Sequence, residues 1–152
     1  ETLDQSRRLL AAAGIQVLHI VGGKSDLDEI SEAGYVRLKY CDRMDLAISA
    51  SDFAISRAGA STVSEFMAVG LPAAYIPYPV GNGEQRFNVE GLVAAGGSVL
   101  VEDAQFTPEY VASEVIPMVS NTKLLRTMAE KAKAFGIADG SSRLLSLIRG
   151  VL

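Results

Sequence analysis

The chain has 152 residues, 49% apolar and 21% charged, the balance of one globular domain large enough to bury its own core. Its net charge of −4 gives no reason to expect nucleic acid as a partner, and a single cysteine, Cys41, excludes an internal disulfide. No apolar run approaches the roughly 20 residues needed to span a bilayer, and no signal-peptide core follows the arginines of "ETLDQSRRLL".

Leu3, Leu9, Leu10 and Ala13 recur at helical spacing, and Gly14 stops that helix. "IQVLHIV" (15–21) reads as a buried strand, "GGKSDLDEISEAG" as a polar loop with at most a short helical turn, and "YVRLKY" (35–40) as a second strand. Residues 44–51 read as a helix and 52–56 as a strand. A helix over about 62–69 follows, closed by Gly70 and Pro72. "AAYIPY" (73–78) is the next strand, with its prolines at the end, where ladder donors are dispensable. The loop "PVGNGEQ" leads to a helix over 86–95 ended by Gly96 and Gly97, and "SVLVE" (98–102) is a strand. Thr107 caps a helix with Pro108 at its first position, Asn121 caps "TKLLRTMAEKAKAF", and a last helix begins near Ser141. Strands alternating with helices imply right-handed crossovers and a mostly parallel sheet with flanking helices. The expected fold class is α/β, Rossmann-like, with the C-terminal helices packed on the outside. The chain opens without Met on a helical pattern, so we expect it to be part of something larger.

In such sheets the ligand sits beyond the carboxyl ends of the strands, which directs attention to "GGKSD", "SRAGAST" and "PYPVGNGEQ". In the second of these, small residues let backbone N–H groups approach a ligand. The helix start behind it offers free N–H donors and the positive end of a dipole. Ser61 and Thr62 add hydroxyls, and Arg57 adds a charge suited to phosphate. That is the grammar of a diphosphate cradle. It is equally the grammar of a plain capped helix, because Thr62 and Glu65 fit a capping box. Neither a Walker loop nor G-x-G-x-x-G is present, which disfavours a dinucleotide cofactor. His19, the only histidine, lies inside a strand without a triad or metal-ligand partner and reads as a packed residue. The D-x-D of "SDLDE" reads as a solvated face, and no cluster has zinc-ligand spacing.

"RAGASTVSEFMAVGLPAAYIPYP", "GEQRFN" and "DRMDLAISASDFAISR" together resemble the C-terminal domain of the MurG family, from about Leu3 to the C-terminus. These are the N-acetylglucosaminyltransferases that complete the peptidoglycan lipid precursor. The resemblance implies a GT-B enzyme of two Rossmann-like domains, with residues 1–152 forming the donor domain that binds UDP-N-acetylglucosamine. It implies that Glu65 holds the ribose hydroxyls, that Gly59, Ala60, Ser61 and Thr62 meet the diphosphate, and that Arg57 lies close by. The backbone at Cys41 would recognise uracil, and the amides of Gln85 and Asn88 would meet sugar hydroxyls. Glu84 departs from the His or Gln of many relatives, so contact and surface decoration stand equal there. Gly22, Gly23, Lys24 and Ser25 could face base or phosphate, or form an ordinary glycine turn.

The resemblance also implies a first strand and a G-G-S-x-G loop before Glu1, and an N-terminal acceptor domain, none of them in this chain. The missing domain would carry the lipid-linked acceptor and the contact with the inner face of the plasma membrane, leaving this part soluble and without catalytic residues of its own. No cofactor or bound metal is required, a divalent cation being at most a stimulant of the whole enzyme. Other UDP-sugar enzymes of this architecture, such as a 2-epimerase, and a non-catalytic UDP-sugar module are the alternatives. An epimerase brings acids and histidines to the sugar carbon, which this sequence does not display.

Overall fold

A computed structural model describes residues 2–80 and 83–151; Glu1, Gly81, Asn82 and Leu152 lie outside it, and with them the middle of the expected "PVGNG" turn. The helix at the N-terminus forms in two pieces, α1 (Thr2–Gln5) and α2 (Arg7–Ala12). They meet at Ser6, which is fully buried and whose Oγ donates to the Thr2 carbonyl at 2.8 Å. Gly14 follows at φ +72°, a left-handed conformation that ends the helix.

Strand β1 (Val17–Ile20) pairs in parallel with β3 (Tyr35–Leu38). Between them the expected polar loop contains a strand, β2 (Ile30–Glu32), antiparallel to β3. Gly34 at φ +82° makes the turn that joins them. Helix α3 (Met44–Ser49) then leads to β4 (Ala54–Ser56), α4 (Ala60–Val69) and β5 (Ala73–Tyr75). The expected helix over 86–95 starts earlier and breaks once, giving α5 (Glu84–Phe87) and α6 (Glu90–Ala94). After β6 (Val99–Leu100) comes a short 3₁₀ turn, Asp103–Gln105.

Thr107 caps α7 (Pro108–Tyr110) as expected, its Oγ1 accepting from the Tyr110 amide at 3.3 Å. A π-helical turn, Val111–Val115, joins α7 to α8 (Ile116–Ser120). Asn121 caps α9 (Thr122–Phe135), its Oδ1 accepting from the Leu124 amide at 3.0 Å. Helix α10 (Gly140–Arg149) closes the chain.

The described strands form two three-stranded sheets, β1-β3-β2 and the all-parallel β4-β5-β6. Strand β5 is buried throughout, and its alternation serves two faces. Ala73 and Tyr75 pack with Val63 and Phe66 of α4, Leu92 of α6 and Ala132 of α9. Ala74 and Ile76 pack on the opposite face with Val101, Phe53, Phe106 and Tyr110. A third cluster, around Leu10, Val111 and Val115, takes in Val17 of β1 with Ile15 just before it, and Ile55 of β4 with Phe53 just before it. The expected burial of β1 is only partial: none of its residues is fully buried, and Leu18 is 45% exposed. Among the described residues β1 is paired on one side only, and such a strand sheds less solvent than β5, which is paired on both.

Candidate functional site

Register places Ser56, Tyr75 and Leu100 side by side across β4, β5 and β6, so the three strands end together. The segments leaving those ends carry Arg57 to Thr62, Ile76 to Asn88, and Glu102 with Asp103. Cys41 and the Gly22–Ser25 turn leave the same, carboxyl, ends of β3 and β1.

Helix α4 begins two residues before the expected Thr62. Gly59, in extended conformation (φ −66°, ψ 140°), takes the N-cap position, and its carbonyl accepts from the Val63 amide at 3.0 Å. No side chain caps this end, so the capping-box alternative for Thr62 and Glu65 does not form. As the third helical residue, Thr62 is past the position from which a hydroxyl reaches back to cap. The amides of Ala60, Ser61 and Thr62 precede the first intrahelical bond. Ala60 and Ser61 are exposed and Thr62 half-buried, and a Cβ placed on Gly59 would meet nothing within 4 Å. The far end is closed by Gly70 at φ +76°, with Leu71 and Gly70 amides donating to Phe66 and Met67 carbonyls at 2.8 and 3.1 Å. Ten residues are thus held rigidly with the open end at the strand termini.

Glu65 is exposed one turn into α4, and no ion pair or hydrogen bond among the described residues engages its carboxylate. Such a group is available to a hydroxyl-bearing ligand. The other expected contact residues are placed differently. Asn88 is exposed, and its Nδ2 donates to the Ala58 carbonyl at 2.9 Å, which ties it to the loop before α4. Gln85 is half-buried on α5, and its Oε1 accepts from the Tyr78 amide at 2.9 Å. Glu84 is the first residue of α5 and exposed.

Arg57 is engaged on several sides. Its Nη1 donates to Asp103 Oδ1 at 2.5 Å and to the carbonyls of Ile76 and Pro77 at 3.2 and 3.3 Å. Its guanidinium lies 5.5 Å from the centre of the Tyr78 ring. Sequence reasoning passed over Asp103 and also Glu102, whose Oε1 accepts from both Nη1 and Nη2 of Arg86 at 2.7 and 2.6 Å. Only their position directly after a strand signalled them.

Cys41 is half-buried with a free thiol. Gly22 stands at φ +88°, and Ser25 Oγ accepts from the Leu27 amide at 3.2 Å, which makes this turn self-contained while Lys24 stays exposed. His19 is half-buried, and its Nδ1 lies 2.7 Å from the Tyr35 hydroxyl. Burial, the largest cause, lowers its pKa from 6.5; the positive charge of Arg37 adds to this and Asp4 opposes it. Asp26 and Asp28 are exposed, as expected of a solvated face. Among the described residues no cluster of three or more His, Cys, Asp or Glu is placed to hold a metal ion, and no helix is long and apolar enough to cross a membrane.

The profile of the glycosyltransferase family 28 C-terminal domain matches residues 1–144. Two curated relatives carry the name UDP-N-acetylglucosamine--N-acetylmuramyl-(pentapeptide) pyrophosphoryl-undecaprenol N-acetylglucosamine transferase. That of Leifsonia xyli is 51% identical over 140 residues, 92% of this chain and 39% of the relative. That of Clavibacter sepedonicus is 48% identical over 148 residues, 97% of this chain and 40% of the relative. The chain therefore spans about two fifths of the length of the relatives it matches. In fold, it is similar to the crystal structure of Acinetobacter baumannii MurG. The TM-score is 0.75 at 24% identity, over 95% of this chain and 47% of that one.

Proposed function

The chain belongs to the glycosyltransferase family 28 C-terminal domains, and from that premise we propose that it is the UDP-N-acetylglucosamine-binding half of an inverting N-acetylglucosaminyltransferase. The whole enzyme would move N-acetylglucosamine onto the 4-hydroxyl of a lipid-linked muramoyl pentapeptide. The observation that carries the reading is the open N-terminus of α4 at the strand ends, with the unengaged carboxylate of Glu65 one turn further on.

As UDP leaves the anomeric carbon, negative charge grows on its β-phosphate. The amides of Ala60, Ser61 and Thr62 and the positive end of the α4 dipole would meet that charge without a metal. Glu65 accepts two ribose hydroxyls, and a carboxylate there repels a further phosphate on the ribose. Gln85 keeps its amide nitrogen for a sugar hydroxyl, since the Tyr78 amide occupies its oxygen. Asn88 acts through Ala58, by fixing the loop that precedes α4. The backbone at Cys41 would meet uracil, and Glu84 would border the sugar. Positioning supplies much of the rate.

Relatives more than twice as long support an acceptor domain outside these residues, which would bring the lipid substrate and contact with the inner face of the plasma membrane. The one-sided pairing of β1 and β4 among the described residues supports a further strand between them. On this reading the chemistry requires no cofactor, a divalent cation being at most a stimulant of the whole enzyme.

UDP titration followed by amide chemical shifts tests the reading. Shifts should centre on residues 58–65, and Glu65→Ala should weaken binding by about tenfold or more, as expected for charge-assisted hydrogen bonds. Unchanged affinity in that variant would refute the assignment, and sugar transfer to a soluble acceptor analogue by the isolated chain would refute the need for a second domain.

A further inference from the structure

Three loops leave the carboxyl ends of β4, β5 and β6, and side chains join all three. Arg57, directly after β4, reaches the carbonyls of Ile76 and Pro77 beyond β5 and the carboxylate of Asp103 beyond β6. Arg86, on the helix that follows the β5 loop, donates twice to Glu102, the neighbour of Asp103. Two consecutive acids thus hold both arginines.

We propose that Asp103 and Glu102 are positioning residues for the donor site, acting through Arg57 and Arg86, and that Arg57 is a tether between loops rather than a ligand of the diphosphate. The inference rests on the donor-domain reading. Asp103 takes Arg57 Nη1, and the same nitrogen is shared with two backbone carbonyls. The guanidinium also lies against Tyr78, whose amide holds Gln85 Oε1. The chain of contacts therefore runs from Asp103 through Arg57 and Tyr78 to Gln85, and in parallel from Glu102 through Arg86 to the same helix α5. Both ion pairs are about half exposed. Exposed pairs add little to folding free energy, so what they can do is choose among loop conformations. With both arginines neutralised in this way, the favourable potential for a diphosphate falls to the end of α4.

The two roles of Arg57 predict opposite signs. If Arg57 were a phosphate ligand partly neutralised by its acid, Asp103→Ala would free it and tighten UDP binding. If Asp103 positions the loop, the same change weakens UDP binding by up to about fivefold, the worth of a half-exposed ion pair. Asp103→Asn keeps an oxygen acceptor and should recover most of that loss. Amide hydrogen exchange in the unliganded protein reads the tether directly: Asp103→Ala should speed exchange at Tyr78 while Ala73–Tyr75 stay unchanged. Glu102→Ala should do the same for Arg86 and Phe87.

Tighter UDP binding, or unaltered exchange at Tyr78, overturns the proposal. Exchange accelerated across β5 as well would mean general loosening and would also overturn it. If the unmodified protein takes up no UDP, the donor reading falls and the role of the acids in binding falls with it. A changed Tyr78 exchange would still separate that result from a failure of the tether itself.

Discussion

The side-chain amide of Asn88 donates to the carbonyl of Ala58 at 2.9 Å, across 30 residues of sequence, from the end of α5 to the residue before the N-cap of α4. Ala58 is fully buried and part of the core, so this bond ties the end of α5 to a fixed point just before α4. Removing it in Asn88→Ala should cost about 1 kcal/mol of stability, the net worth of one hydrogen bond. The larger effect should fall on UDP affinity. Denaturant unfolding and UDP titration of the variant separate the two, and Asn88→Asp should be worse, since a carboxylate would face the carbonyl oxygen.

Helices α4 and α9 pack together, and the chain leaving α9 passes over α4 at Gly136. A Cβ there would stand 2.4 Å from the Met67 carbonyl oxygen and 3.1 Å from Ala68 Cα. These are backbone atoms inside a helix and cannot swing aside. Gly136→Ala should therefore destabilise by about 2 kcal/mol, in the range for overpacking, and lower the melting temperature. The φ of Gly136 is −66°, so sterics alone would be responsible. A variant as stable as the parent would show that the crossing relaxes freely.

How far the sequence foretold this arrangement depends on where each residue finds its partner. Thr107 and Asn121 cap as expected because a cap needs only an amide three residues on. The strand over Tyr35–Leu38 was also legible from alternation, yet the side it buries holds Tyr35 and Arg37 rather than aliphatic residues. Arg37 is tolerated there because its Nε donates to the Asp28 carbonyl at 2.6 Å and its Nη1 to Asp4 Oδ1 at 2.5 Å. Those partners come from distant segments, and no local window contains them. The same reason hides Asp103, which is 46 residues from Arg57. Strand β2 was missed because "ISE" is too short for periodicity and Gly34 was its sole sign. Helix α4 starts two residues ahead of the sequence expectation for a local reason: Gly59 takes the N-cap position, where the pattern offers Thr62 as a hydroxyl cap.

Tyr75 is fully buried, stacks on Phe66 with ring centres 6.3 Å apart, and its hydroxyl has no hydrogen-bond partner among the described residues. Burial raises its pKa to about 12. An unpaired buried hydroxyl costs desolvation without return. Tyr75→Phe should accordingly be neutral or stabilising by about 1 kcal/mol, leave UDP binding intact, and remove a high-pH step from the absorbance titration of the tyrosines. Clear destabilisation would mean that the hydroxyl has an internal water as partner.

His19 is the only histidine, so its ring protons give one unambiguous titration. Burial is the main force lowering its pKa, Arg37 adds to it, and Asp4 opposes both. The folded protein thus binds this proton more weakly than the unfolded chain does. Above pH 6.5, the ordinary histidine value, the ring is neutral in both states and its contribution to stability is fully present. As the pH drops below that value the unfolded chain takes up the proton first, and stability declines until the folded ring is protonated as well. The Cε1 proton resonance should therefore show a midpoint below 6.5, and the melting temperature should fall over the same interval. His19→Gln should flatten that fall while leaving the curve near neutral pH in place, apart from an offset for the lost contact with the Tyr35 hydroxyl. A midpoint at or above 6.5 would show that Asp4 outweighs burial, and the sign of the pH dependence would reverse.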